Sequence, residues 1–409
     1  MTSPVPWAVT RAFRESAGGA LATLVRTTGD LDVAEDAVQD AFEIALRTWP
    51  QAGVPEDPAA WIFVTARNRL RDRWRRETQR PAREAASGPA AGGSAPEPRA
   101  VADDLLRLLF TCGHPAIGPA AQVCLMLRLV CQLPTATIAR LLLEPDTTTG
   151  QRLSRAKAKI RTAGIPFTVP EEDQLPTRLP VVLKAIELLF TIGYSPQAGP
   201  VVDADACVEA LRLAAMTVEL LHDQPEARGL LALLLLQDSR RVTRADADGA
   251  VVLLADQDRD RWDRGRIEEG MAQLRRAEAY RRLGPYQLQA AIAAAHATAA
   301  DWASTDWPRI VAAYDELLAI TGSPVVALNR AVAVGERDGP GAALPLLDGL
   351  AHDPALARGH RLPATRALVF ERLGRRTEAV AELSRAIDLA PDGAERRHLC
   401  RRRDQLRQG

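Results

Sequence analysis

Arg67, Arg71 and Arg75 recur at four-residue intervals, Arg69, Arg73 and Arg76 stand beside them, and Asn68 sits in their midst. Residues four apart share a helix face. The run would therefore present guanidinium groups suited to phosphates and an amide suited to a base edge. Trp61 and Trp74 interleave with this charge, and aromatic rings among cations favour unstacked or single-stranded nucleic acid. The same residues also fit a solvated helix with two tryptophan core anchors, and residue type alone leaves both readings open. A second basic run holds Arg152, Arg155, Lys157, Lys159 and Arg161 with no acid among them. There Gln151, Arg152 and Ser154 are donors for base edges, and the later cations suit phosphates. Upstream lies the opposite pattern: Asp30, Asp32, Glu35, Asp36, Asp40 and Glu43 with no intervening base. One acidic face and two basic segments imply a partner for the acids and a polyanion for the bases. Charges balance over the whole chain, 52 Lys and Arg against 52 Asp and Glu, so their placement carries the information.

These groups need helices to hold them. Between Asp32 and Leu46, the residues Val33, Ala37, Val38, Ala41, Ile44 and Ala45 form one apolar stripe at 3.6-residue spacing. Residues 50–58 read as a loop, and Pro58 opens the next helix in its first turn, where a missing N–H costs nothing. Residues 77–100 are rich in Pro, Gly, Ala and Ser. They read as a linker that spans up to roughly 80 Å when fully extended. Leu133–Leu142, a short turn with Asp146 as N-cap, and Thr147–Ile160 then give a helix–turn–helix, with Leu153, Ala156 and Ile160 inward.

From about residue 178 the chain is strongly apolar and periodic. Three sets share one spacing: Ala312, Ala319, Pro324; Ala342, Gly349, Pro354; and Ala379, Ala386, Pro391. Small residues seven apart followed by a helix-ending proline are the tetratricopeptide layout. The expected fold is all-α. Two small helical domains (1–80 and 101–165) are joined by a flexible linker (81–100). A second linker (166–177) leads to a helical-repeat extension (178–409).

Other chemistries find little support. Cys112, Cys124, Cys131, Cys207 and Cys400 are odd in number and scattered, so free thiols are expected rather than disulfides. Cys112 and His114 lack the second ligand pair that a structural zinc needs. The aspartates Asp246, Asp248, Asp256, Asp258, Asp260 and Asp263 do not match a calcium loop, and Arg259, Arg261 and Arg264 among them suggest an ion-pair network. Phosphate-loop, HExxH and GxSxG motifs are missing. Neither an enzyme, a metal nor a cofactor is expected. The absence of a long apolar run and of a signal core predicts a cytoplasmic protein with no membrane contact.

Residues 32–46 followed by WIFVTARNRLRDRWRRE resemble sigma region 2, and LPTATIARLLLEPDTTTGQRLSRAKAKIR resembles sigma region 4. Their order and the linker between them resemble extracytoplasmic-function RNA polymerase sigma factors. GLLALLLLQDSRR, DADGAVVLLADQDRDRWD and TDWPRIVAAYDELL are similar to the helical-repeat extension of one branch of that group. The resemblance implies a DNA-binding protein of transcription initiation whose partners are core RNA polymerase, through the β′ clamp and β subunit, and promoter DNA. The repeats would take a protein or peptide partner.

Asp32, Glu35, Asp36, Gln39 and Asp40 would then meet the polymerase. Trp61, Arg67, Asn68, Arg71, Asp72, Arg75 and Arg76 would lie on the −10 element, with the loop 49–57 holding a flipped base. Gln151, Arg152, Ser154, Arg155, Lys157 and Lys159 would enter the −35 groove. Leu143, Glu144 and Thr149 depart from the usual region 4 pattern, which puts the stability of that domain in question. The competing reading is a helix–turn–helix regulator with a repeat sensor that never binds core polymerase.

Overall fold

A computed structural model of the chain describes residues 4–78, 97–142, 144–194, 204–247, 250–391 and 393–408. Among these the fold is all-α, as expected: nineteen α-helices, four short 3-10 turns and no strand. The chain divides into two compact units, Met1–Leu189 and Phe190–Gly409.

The first unit begins with α1 (Pro4–Thr28), α2 (Leu31–Ala52) and α3 (Pro58–Thr78), which pack on one another. Asp30 caps α2, its carboxylate accepting from the backbone N–H of Asp32 at 2.9 Å and of Val33 at 3.1 Å. Ala34, Ala37, Val38, Ala41, Phe42 and Ala45 form the buried stripe of α2. Helix α2 runs three residues past Trp49, which is 1% exposed. The loop expected at residues 50–58 therefore shrinks to Gly53–Asp57, and Gly53 takes the positive φ of 85° that ends the helix.

Four more helices follow, α4 (Pro98–Cys112), α5 (Pro119–Leu129), α6 (Thr135–Leu141) and α7 (Asp146–Thr162). Most of the first expected linker lies outside the described residues, and its end is already helical, because α4 begins at Pro98. Asp146 is the first residue of α7 rather than its cap, and Pro145 holds the cap position without a side-chain bond. The second expected linker is anchored. Ile165 is buried, the Pro166 carbonyl accepts from the Thr111 hydroxyl at 3.2 Å, and Leu175, which opens α8 (Leu175–Tyr194), is also buried.

The second unit adds α9 (Ala204–Leu220), α10 (Pro225–Asp238), α11 (Arg264–Glu278), α12 (Pro285–Thr298), α13 (Trp307–Thr321), α14 (Pro324–Asp338), α15 (Pro340–Gly349), α16 (Pro354–Ala357), α17 (Arg361–Arg372), α18 (Arg376–Leu389) and α19 (Ala394–Gln408). Helix α10 is buried almost all round, between α9, α11 and α12. Glycines allow that closeness: a Cβ at Gly229 would stand 2.8 Å from the Gln287 nitrogen, and one at Gly270 would stand 2.9 Å from Leu236. From α12 onward the helices pack mainly on their chain neighbours, each pair burying a local cluster such as Leu328, Leu347, Leu356 and Val369. That is the contact pattern of helical repeats.

The tetratricopeptide register holds in part. Ala379 and Ala386 are fully buried, whereas Ala312 and Ala319 are exposed, as is Gly349. In α13 the inward face is Ile310, Val311, Ala313 and Leu317 instead, so the small residues there are surface alanines.

The aspartates of residues 246–263 serve the backbone as well as ion pairs, Asp263 lying 3.4 Å from Arg266. Asp246, Asp258 and Asp263 accept backbone N–H groups, from Ala250, Asp260 and Arg266 respectively. Arg259 leaves that segment, donating at 3.0 Å to the Ala299 carbonyl and also to that of His296 near the end of α12. The ring of His296 stacks on Trp302 at 5.8 Å. Burial first, then the charges of Arg240 and Arg259, push its imidazole down to about 4.

A histidine with a folded pKa below its unfolded value of about 6.5 destabilises the fold as pH drops between the two. The second unit should therefore lose stability from pH 6.5 towards 4. His296→Phe, which keeps the stacked ring and cannot titrate, should flatten that slope in thermal melts; an unchanged slope would assign it to other groups.

Candidate nucleic-acid interface

Sequence placed the chemistry on α2, α3 and α7, and all three belong to the first unit. The five acidic-face residues of α2 do not share one environment. Asp36, Gln39 and Asp40 are exposed, and Asp40 joins Ala37, Ile44, Arg47, Arg69, Leu70 and Arg73 around a groove between α2 and α3. Asp36 pairs with Arg73 at 2.9 Å across that groove. Asp32 and Glu35, nearer the start of the helix, meet α5 and α7 instead.

Helix α3 offers a mixed surface. Asn68 and Asp72 are exposed, one turn apart. Arg67 is half-buried with its guanidinium 5.6 Å from the Phe63 ring centre, and Arg71 is half-buried as well. Trp61 lies edge-on to the buried Trp49, with ring centres 5.4 Å apart, so its ring anchors α3 to α2. Trp49 itself is core and not part of a base-binding loop. The side chains of Arg75 and Arg76 fall outside the described residues.

Helix α7 has two functional flanks. Gln151, Ser154, Arg155 and Lys159 are exposed. A groove beside the start of α5 is lined by Thr148, Gln151, Arg152, Arg155 and Lys159 of α7, with Ala116, Ile117, Gly118 and Ala121 opposite. Three cations and an amide on one shallow groove suit phosphates and base edges. Lys157 and Arg161, one turn apart, lie on the other flank. Lys157 stands 3.6 Å from Asp32 and also pairs with Glu35; Arg161 pairs with Asp32 at 2.8 Å. Arg128 of α5 completes the cluster, 3.2 Å from Glu35. Helix periodicity marks Lys157 as basic and outward, and only the tertiary structure shows that its neighbours are acids of the same chain.

The departures from the usual region 4 pattern account for one another. Thr149 is fully buried, and its hydroxyl donates to Glu144 at 2.6 Å; Arg152 also donates to Glu144. Two apolar positions of the helix–turn–helix core have become a hydrogen-bonded pair, which satisfies both polar groups. Burial works to raise the Glu144 pKa. The bonds from Thr149 and Arg152 outweigh it and hold the carboxyl below its ordinary value. Arg152 is thereby drawn across the turn and half-buried, so it braces the motif as well as edging the groove. Leu143 lies outside the described residues.

Of the thiols, Cys112, Cys124, Cys131 and Cys207 are buried, and burial pushes Cys112 up to about 12. Among the described residues no three His, Cys, Asp or Glu side chains gather as a metal site, and no helix is long and apolar enough to cross a membrane.

The first unit thus presents acids on one helix, a mixed surface on a second and a cation-lined groove on the helix–turn–helix. Comparisons with known proteins bear on that surface. Residues 13–80 match the sigma-70 region 2 family, and residues 178–278 match a family of unknown function. An uncharacterized protein of Rhizobium meliloti is 43% identical over 395 residues, covering 95% of this chain and 93% of that one. A probable ECF RNA polymerase sigma factor, SigI, of Mycobacterium tuberculosis is 32% identical over 160 residues. That match covers 37% of this chain and 54% of SigI. Residues 13–80 thus carry a sigma-70 region 2 domain, and the chain shares nearly its whole length with the Rhizobium protein.

Glu144→Leu would strand the buried Thr149 hydroxyl and cost about 1–3 kcal/mol. Adding Thr149→Val should recover most of that loss in chemical denaturation; a double variant no more stable than the single would show that the two positions do not compensate. The depressed Glu144 carboxyl contributes stability that is present above the ordinary carboxylate range and lost as pH falls through its folded value.

Proposed function

We propose that this protein is an extracytoplasmic-function sigma factor that binds core RNA polymerase and directs it to promoters with −10 and −35 elements. The observation that carries the reading is the sigma-70 region 2 match over residues 13–80. It falls on the helices whose exposed residues are acidic on α2 and amide- and acid-bearing on α3. In this reading residues 1–80 act as region 2, residues 101–165 as region 4, and residues from 178 onward as the extension. Asp32, Glu35, Asp36, Gln39 and Asp40 bind the β′ clamp. Asn68, Arg67, Arg71, Asp72, Arg75 and Arg76 follow the −10 strand, with Trp61 behind them. Gln151, Ser154, Arg155, Lys157 and Lys159 enter the −35 groove, which Arg152 borders.

Such a protein breaks no covalent bond. It stabilises an unpaired strand, at an unstacking cost of a few kcal/mol per step, and supplies cations to phosphates, so promoter binding weakens steeply with salt. The second unit regulates or assists this activity by binding a protein or peptide on its stacked helices.

Asp40→Arg should abolish association with core polymerase and run-off transcription, since Asp40 is exposed beside the α2–α3 groove. Arg155→Ala with Lys159→Ala should leave core association intact and cut −35-dependent transcription about tenfold or more. A chain that shifts promoter DNA and never associates with core would be a helix–turn–helix regulator instead. For the second unit, a chain ending at Tyr194 should differ from the full chain in transcription from the cognate promoter, in either direction; equal activity removes the regulatory role.

A further inference from the structure

Glu35 is 9% exposed and is flanked by Arg128 and Lys157; Asp32, one turn earlier, is held by Lys157 and Arg161. Two of the four acids assigned to core binding are thus already bound, by cations of α5 and α7. The junction has a second seam. Gly18 of α1 lies so close to the carbonyl of Val130 that a Cβ there would overlap it, and a Cβ on Gly19 would stand 2.6 Å from Val101. Arg26 of α1 reaches Asp104 of α4 at 2.9 Å, where Asp104 is buried. The two halves of the first unit are therefore closed on each other by matched charges and by a glycine contact.

We infer that Lys157, Arg161 and Arg128 form an intramolecular latch, which occupies the Asp32–Glu35 end of the polymerase-binding face of α2 until a competing basic surface displaces it. The inference rests on the assignment of α2 to core binding made above.

Three arguments converge on it. First, two of the three latch cations, Arg128 and Arg161, lie outside the DNA-binding set, and none of the three lines the groove, so closure is not a by-product of the groove's own charge. Second, the closed arrangement cannot serve a promoter. Elements centred about 25 base pairs apart are separated by roughly 85 Å at about 3.4 Å per step, whereas α2 and α7 touch. Third, the occupant the acids require is cationic and helical, which α7 already is, so a basic helix of core would replace like with like. The competition is a population shift: core binds only the fraction of chains that is open, and each lost latch contact raises that fraction.

Zero-length carbodiimide coupling reads the latch directly, because the chain has only three lysines, Lys157, Lys159 and Lys184. In the full-length free chain the coupled peptide should join Lys157 to Asp32 or Glu35. Prior addition of core polymerase should suppress that product, and the pre-coupled chain should fail to bind core. High salt should lower the yield, since the pairs are partly exposed. Arg161→Ala, at an exposed site outside the DNA-binding set, should reduce coupling and strengthen core association about threefold to tenfold. Gly18→Ala, which wedges the seam without touching a charge, should do the same; circular dichroism must show it folded, and Arg161→Ala carries the test if it is not.

No Lys157 product in the free chain, or a coupled chain that binds core like the untreated one, overturns the latch. The functional reading fails separately. If Asp40→Arg leaves core binding unchanged, α2 is not the docking face, whatever the coupling shows.

Discussion

Glu35 is the constraint on which the first unit turns. A carboxylate at the centre of a helical junction is costly unless cations and hydrogen bonds compensate for its lost water. Here Arg128 and Lys157 supply both, from two different helices. Removing either would leave a charge short of partners in a place where solvent reaches poorly. The position of α7 against α2 is therefore tied to one side chain. A pair wholly in solvent would hold it far less firmly. This is why the junction can be specific and still reversible: the surrounding pairs, Asp32 with Arg161 and Asp36 with Arg73, are exposed enough to exchange with water or with another protein.

Much of this was legible in the residues. The apolar stripe of α2, the proline that opens α3 and the helix–turn–helix follow from periodicity and local turn chemistry, although Ala34 and Phe42 are buried where spacing put Val33 and Ile44. The all-α fold was equally plain, because the chain has helical period throughout and almost no aromatic or β-branched runs. What spacing could not resolve was partnership. Lys157 and Lys159 are two residues apart in one basic run, yet one faces acids and the other a groove. A helix wheel separates their directions but does not say what lies in each. The tetratricopeptide spacing left burial open for a related reason. Alanine is small whether it faces a neighbour or the solvent, so Ala312 and Ala379 look alike in sequence, and only burial separates them.

Thr149 and Glu144 show the same limit from the opposite side. Each looked like a defect in the core of the motif when taken singly, because a buried polar group costs stability unless it is bonded. Brought within 2.6 Å they satisfy one another, and Arg152 adds a charge-assisted bond on the exposed side. A pair that is unfavourable residue by residue becomes neutral as a unit. Single-position reasoning has no means of seeing that.

The second unit is organised by the opposite logic. Its most buried charge, Asp238, sits at the end of α10 with Arg241 3.4 Å away and Arg266 in contact, and Asp246, Asp258 and Asp263 accept backbone N–H groups. Charge there is used locally, to end helices and set turns, and the stacking of helix on helix proceeds from the apolar faces. In the first unit charge is used at long range in the chain, across more than a hundred residues between Asp32 and Arg161. Local charge stabilises one arrangement, whereas long-range charge on a partly exposed surface can be matched equally well by a different molecule. The chemistry that would let α2 recognise a polymerase is for that reason the same chemistry that lets it recognise α7. On the proposed reading, the two uses of α2 stand in direct competition.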